Sequence, residues 1–461
     1  GGSLAVPARA PVFCPLGAFP PVMTADDHGE RRRLGAVVLA VLISQVLLYP
    51  GVPALVVALG APGGIDAGMW FLVAEFGAFV AFAVVWGAAS DALGRRSPLI
   101  VAGALGGAAS YLVLAALPEV GVGFRAALAV RVVGGALTIG AFSLAITSLM
   151  DLGGGNGRNM GTAGVAIGLG AAVGSVVGGA LADANAVYPL YAGAAVLAGA
   201  AGLAGTVDDR LVADRSSARD GGSAGTDDDA PANTPDAPTT SATPATDVGL
   251  RDVIARTRTT PGLFVPLAFG FVDRLTAGFF ALVGVYYFQD PETFGLSAAA
   301  AGGTLALFFV PFALLQAPFG SLSDRIGRLR PVVVGSVAYG VVTIGVGVAP
   351  TYPIAAGLMV LVGVCGALMA PATMALVTDL VEPEARGAAM GLFNVFGSLG
   401  FLTGFLIGGS VTELFGYTAA FLAVGALELL IAVALFPAVR AIAPGDGLRG
   451  HTRTGGQSPS E

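Results

Sequence analysis

The 461-residue chain is 55% hydrophobic and 11% charged, with a mean hydropathy of +0.81 and a formal net charge of −7. A soluble protein carries about a quarter charged residues, so this composition excludes an ordinary soluble fold and points to an integral membrane protein. The chain contains no lysine, which excludes Walker-type nucleotide binding, Schiff-base cofactors and lysine nucleophiles.

His28 and His451 lie in polar end segments, so histidine metal sites and Ser-His or Cys-His chemistry are excluded from the apolar body. Cys14 and Cys365 are too few and too separated for a disulfide framework, and Cys365 reads as a small packing residue. No cofactor and no metal are expected, and no basic patch points to nucleic acid. An acidic, lysine-free surface fits a saline cytoplasm. GC-rich coding also replaces lysine by arginine, and both explanations stay open.

In chain order, residues 1–33 read as a disordered tail. Residues 1–22 are Pro- and Ala-rich and read as artefactual, with Met23 as the natural start; a signal peptide is the alternative, but Arg31-Arg32-Arg33 directly before a full-length span fits an uncleaved first helix better. A span needs about 20 apolar residues, and the run from Leu34 to Leu59 has Ser44 and Gln45 as its only strongly polar side chains. Apolar runs interrupted by Gly, Pro or charge predict spans at 34–58, 66–90, 97–117, 123–149, 160–183 and 186–206. A second set follows at 262–289, 297–321, 331–349, 352–378, 388–412 and 417–439. The expected fold is all-α, with twelve transmembrane helices in two pseudo-symmetric bundles, 34–206 and 261–440. The linker 207–260, with its Asp227-Asp228-Asp229 run, cannot bury a core. Residues 250–258 within it fit a short amphipathic surface helix, and 441–461 form a second tail.

Arginine placement orients the chain. Nineteen arginines fall on one side if the N-terminus is cytoplasmic, among them Arg31, Arg32, Arg33, Arg158, Arg386 and Arg440; the opposite loops hold Arg125 alone. The positive-inside rule then places both termini and the linker in the cytoplasm of a multi-pass cytoplasmic-membrane protein.

The halves repeat at an offset of roughly 230 residues. Gly87-x3-Asp91-x2-Gly94-Arg95-Arg96 recurs as Gly320-x3-Asp324-Arg325-x-Gly327-Arg328-x-Arg330. Gly170-x3-Gly174-x3-Gly178-Gly179 recurs as Gly400-x3-Gly404-x3-Gly408-Gly409, and Asp151-x6-Arg158 as Asp379-x6-Arg386. With these paired motifs, residues 34–440 resemble the major facilitator superfamily, whose signature loop joins helices 2 and 3. The resemblance implies two bundles rocking about a central small-molecule site in a functional monomer. It also implies that the loop motifs latch the cytoplasmic side in the outward-facing state. Physically, Gly87 and Gly320 permit close helix approach, and Asp91 and Asp324 can meet a helix N-terminus or an arginine. The alternative for the loop arginines is that they only fix topology.

Within the spans, Arg131-x3-Gly135 is similar to the helix-4 arginine motif of proton-coupled members. Glu75 lies about 24 Å above Asp91 and Arg131 about 30 Å above Asp151, which allows them to pair. Asp273 and Arg274 lie about 16 Å from the entry at Pro261-Gly262 and diverge by about 100°, so one is expected to face the cavity and the other the bundle. Gln45 sits at matching depth in helix 1, and Gln316, Tyr286, Tyr287 and Met374 are weaker lining candidates. The glycine run of helix 5 resembles the family's antiporter motif. Ser175, and Phe405 in the second copy, replace that motif's proline, and small-residue packing accounts equally well for the glycines. The resulting expectation is proton-coupled export of a drug-like or amphipathic solute, not enzymatic catalysis. The alternatives are a proton- or sodium-coupled metabolite symporter and a non-transporting sensor.

Overall fold

The computed structural model describes residues 25–152, 156–207, 261–382 and 386–442. Met23, both predicted tails beyond these bounds and residues 208–260 of the linker lie outside the described residues. Among the described residues the regular structure is entirely helical. Ten helices are long and apolar enough to cross a membrane. They are α1 (His28–Ala58), α2 (Ile65–Leu93), α3 (Ser97–Val120), α4 (Phe124–Asp151), α5 (Asn156–Ala184), α7 (Phe264–Gln289), α8 (Ala298–Ile326), α9 (Leu329–Gly347), α10 (Tyr352–Asp379) and the run Arg386–Ile442. Between α5 and α7 lies the shorter apolar helix α6 (Tyr188–Ala204). The last run breaks at Gly416, where φ is +81°, giving α11 (386–415) and α12 (417–442). A residue with a side chain adopts that backbone angle only with strain.

Two departures from regular helix follow from local sequence. Pro50 and Pro53 cannot donate to a helical ladder, and α1 tightens into a 3₁₀ turn at Tyr49–Gly51 before resuming. Helix α7 widens into a π-turn over Phe280–Gly284, beside the aromatic cluster of Phe279, Phe280, Phe308 and Phe421. Such single-turn bulges concentrate at functional sites.

Helices α1–α6 pack among themselves, as do α7–α12, and the two bundles meet through α5 with α8 and α2 with α11. The repeated glycine runs explain both kinds of contact. Cβ atoms on Gly170 and Gly174 would lie 2.9 Å from the Leu39 and Ile43 carbonyls of α1, and one on Gly178 would strike the Leu47 carbonyl. In the second copy, Gly400 and Gly404 meet the Phe271 and Leu275 carbonyls of α7. The terminal glycine of each run faces the other bundle, Gly179 against Ala298 and Ala299, and Gly409 against Met69. The run Gly-x3-Gly-x3-Gly is therefore the seam that fixes α5 to α1 and α11 to α7.

The bundles close at one end, and their contact runs on to mid-depth. At the end remote from the arginine-bearing loops, Gln289 donates to the Pro50 carbonyl at 2.9 Å and the Ala299 amide to Asp183 at 3.1 Å. Midway, Phe76 stacks on Phe401 with centroids 4.8 Å apart. Toward the arginine-rich end α2 and α11 part, although Gln316 of α8 still reaches Gly164 of α5. Phe82, Val84 and Val85 of α2 are exposed, and Cβ atoms on Gly87 or Gly391 would meet nothing within 4 Å. The close approach expected at Gly87 is thus not made, because the bundles have parted there. At Gly320 it is only an ordinary contact with Pro371, at 3.6 Å.

Gly404→Ala should lower unfolding stability by about 1–3 kcal/mol through overpacking against α7. Gly199→Ala, which faces open space on α6, should be neutral or stabilising by up to about 1 kcal/mol. Thermal melts of purified protein compare the two directly.

Candidate functional site

The N-terminal bundle encloses an ion pair. Arg131 of α4 and Glu75 of α2 are 1% and 4% exposed and form a direct salt bridge. A Cβ on Gly135, one turn beyond Arg131, would fall on the backbone of Glu75. The missing side chain is what lets α4 approach α2 closely enough for the pair to form. The guanidinium also lies 4.3 Å from the centroid of the Phe71 ring, and the Tyr111 hydroxyl donates to Glu75 at 3.4 Å. A charge inside hydrocarbon is costly unless neutralised. Glu75, Tyr111 and the Phe71 ring together surround this one.

The C-terminal bundle treats its charges differently. Asp273 is 5% exposed and turns into the bundle, its Oδ1 3.9 Å from the Cβ position of Gly366 on α10. Arg274 reaches back to it at 3.6 Å, yet the arginine side chain keeps 38% exposure. The part-exposed residues of α7, Ala268, Phe271, Arg274 and Ala277, form one stripe at helical spacing. Asp273 therefore faces the bundle and Arg274 the open stripe.

At the arginine-rich end, each signature loop anchors to the end of a neighbouring helix. Gly94 and Gly327 turn the chain with positive φ, and the next helix begins at once. Arg96, at the start of α3, binds Asp151 at the end of α4 at 2.5 Å. Arg328, at the start of α9, binds Asp379 at the end of α10 at 3.1 Å and Asp324 at 2.5 Å. Burial works against the Arg328 charge, but its hydrogen bonds to Asp324 and Asp379 prevail and hold it above the ordinary arginine value. The first copy differs. Asp91 and Arg95 are exposed, and Asp91 has no ion pair among the described residues. Arg325 and Arg330 are exposed as well. Arg31 donates to Asn159 at 2.9 Å and Arg33 to the Thr206 carbonyl at 2.9 Å, so these arginines also tie helix ends together.

The remaining candidates separate. Gln45 is buried in the first bundle, and Gln316 lies in the α8–α5 seam, its Oε1 3.0 Å from the Cβ position of Gly164. Tyr286 presses on Gly68 at the closed end, where it helps line a cavity of about 430 Å³, and Tyr287 donates to the Val346 carbonyl at 3.1 Å. Met374 packs with Leu267, Val377 and Leu392. Ser175 and Phe405 are both buried.

A sequence profile described as Major Facilitator Superfamily matches residues 267–456. The chain is 30% identical over 132 residues to the multidrug efflux pump LfrA of Mycolicibacterium smegmatis, covering 28% of this chain and 26% of that protein. It is 32% identical over 133 residues to the multi-drug resistance efflux pump PmrA of Streptococcus pneumoniae, covering 29% and 33%. The chain spans between 26% and 42% of the length of the first curated relatives it matches. Among solved structures, the human organic anion transporter MFSD10 superposes with a TM-score of 0.61 at 20% identity, covering 89% of this chain and 100% of that one. A bacterial homologue of the human lysosomal transporter Spinster, inward-facing and unoccupied, superposes with a TM-score of 0.68 at 13% identity, covering 91% and 98%. Residues 267–456 thus match the major facilitator superfamily, and the fold over the described residues is the one those solved transporters share. That family comprises transporters rather than enzymes.

One further buried acid of this chain is not among the sequence candidates. Glu428 of α12 is 0% exposed, and it accepts hydrogen bonds from Ser336 of α9 at 2.7 Å and Thr276 of α7 at 3.1 Å. Its signal was the one that singled out Glu75, a lone carboxylate within an apolar run.

Removing either member of the Glu75–Arg131 pair strands a buried charge, so Glu75→Gln and Arg131→Met should each cost about 3–5 kcal/mol. The double variant should lose far less than the sum. Denaturation of the three variants in detergent measures the coupling.

Proposed function

We propose that this chain is a secondary active transporter that carries a small solute across the cytoplasmic membrane by alternating access. The arginine-rich end is taken as cytoplasmic, from the positive-inside bias, which makes the structure inward-open. One observation carries the reading. The bundles close at one end and part at the other, while Arg274 stands at mid-depth on the stripe that α7 leaves open, with the buried Asp273 behind it. A ligand entering that gap would meet an arginine whose counter-ion sits behind it in the bundle.

Proton-coupled export of a drug-like or amphipathic compound fits this arrangement best. A carboxylate beside a solvent-reachable arginine can lose its partner to a substrate or a proton as the bundles rock. Relatives named as multidrug efflux pumps and as a methyl viologen resistance protein support export of such compounds. On this reading the unpaired Asp91 marks the open latch. When the cytoplasmic ends close, it gains a partner from the facing bundle, whereas Asp324 stays with Arg328.

Proteoliposomes offered methyl viologen or puromycin test the proposal. The wild type should accumulate substrate against its gradient when a pH gradient is applied. Asp273→Asn should abolish that response while retaining equilibrium exchange, and Asp91→Asn should slow turnover with binding preserved. A full pH-gradient response in Asp273→Asn would remove this acid from the coupling.

A further inference from the structure

We propose that Glu428 is a proton-binding site in the core of the C-terminal bundle, with the Tyr339 hydroxyl standing by to receive the carboxylate once the proton leaves. The proposal rests on the proton-coupled reading above and adds a residue to it.

Three observations support it. Glu428 is completely buried, and among the described residues it has no ion pair. Its contacts are two hydroxyls, and a carboxylate in hydrocarbon with only neutral donors is poorly compensated. The hydrogen bonds then locate the proton. The Thr276 hydroxyl has one proton but faces two acceptors, Glu428 Oε2 at 3.1 Å and the Val272 carbonyl at 3.2 Å. If Glu428 Oε2 carries a proton and donates it to Thr276, Thr276 is free to donate to Val272, and Ser336 still donates to Oε1 at 2.7 Å. One added proton satisfies every contact.

The third observation is an idle donor. The Tyr339 hydroxyl is buried and has no hydrogen-bond partner, and an unmade buried bond of this kind is costly. Tyr339 lies one turn from Ser336 on α9, and Gly340 brings α9 within 3.2 Å of the Glu428 Cβ, measured from the Cβ position of Gly340. The charged and titratable groups that bear on Tyr339 are Asp273 and Arg274 of α7, Cys365 of α10 and Glu428 itself. An ionised Glu428 would recruit this hydroxyl, and the leaving proton would find Asp273, which borders the open stripe through Arg274. No bond other than O–H changes: one carboxyl gives up the proton and the other takes it.

Infrared spectroscopy of the purified full chain in lipid tests this without any substrate, with the proton as the only ligand. The wild type should show the carbonyl band of a neutral carboxylic acid, sensitive to deuterium exchange, and Glu428→Gln should lose it. Because Glu428→Gln could fail to fold, Thr276→Val and Tyr339→Phe provide a second test. Thr276→Val should shift the band, and in Tyr339→Phe the band should persist to higher pH by about one unit, since the ionised form loses its standby donor. An unchanged band in Glu428→Gln, or no response in both hydroxyl variants, would overturn the proposal. Loss of the band in a protein whose transport ignores pH would instead contradict proton coupling and leave the proton site standing.

Discussion

A charge placed in hydrocarbon must be neutralised, and this chain neutralises its charges within their own bundles. Glu75 answers Arg131, Arg274 answers Asp273, Asp151 holds Arg96 and Asp379 holds Arg328, each pair within one six-helix set. The seam between the sets is built instead from glycine, alanine and phenylalanine, as at Gly168 against Ala313 and Phe76 against Phe401. Separating such a seam breaks no ion pair. Among the described residues, the hydrogen bonds that cross it, Gln289 to Pro50, Ala299 to Asp183 and Ser410 to Met69, lie at the closed end.

The same division explains the mechanical design. Three glycines of each repeated run bind α5 to α1 and α11 to α7, while the fourth touches the opposite bundle. Each bundle therefore has a stiff internal seam and a smooth outer one. Rocking about the smooth seam can open one end as the other closes, which is the motion that the proposed transport requires. Asymmetry enters through chemistry. The first bundle seals its arginine among Glu75, Tyr111 and Phe71, whereas the second leaves Arg274 half open beside a core that holds two acids.

Most of this architecture was legible in the sequence, because hydrophobic run length and the internal repeat are one-dimensional signals. Most helix bounds fall within about five residues of the predicted spans, but the first helix begins at Ala25 rather than Leu34, so residues 25–33, expected to belong to a disordered tail, are helical. Depth arithmetic placed Glu75 and Arg131 near one another, and the divergence of adjacent helical residues separated Asp273 from Arg274. Less legible were features set by how helices turn about their axes. Gln45 matched Asp273 in depth but is buried in its bundle. Which arginine of each loop would find its aspartate was also hidden. Arg96 stands two residues after Gly94 and Arg328 one after Gly327, so the repeat alone does not align them. Asp91 and Gly87 depend on whether the bundles are together or apart, a property of the conformational state. Glu428 carries the same sequence signal as Glu75, a lone carboxylate within an apolar run.

The central claim is that the two bundles move as rigid bodies about the glycine and phenylalanine seam. Spin-label distances in lipid bilayers test it, with one pair at Leu93 and Gly391 on the arginine-rich ends of α2 and α11, and a second at Gly63 and Glu413 on the closed end. The account predicts two populations for each pair, with the first distance shortening as the second lengthens when pH or substrate is changed. A single fixed distance at both ends, or both ends opening together, would contradict it.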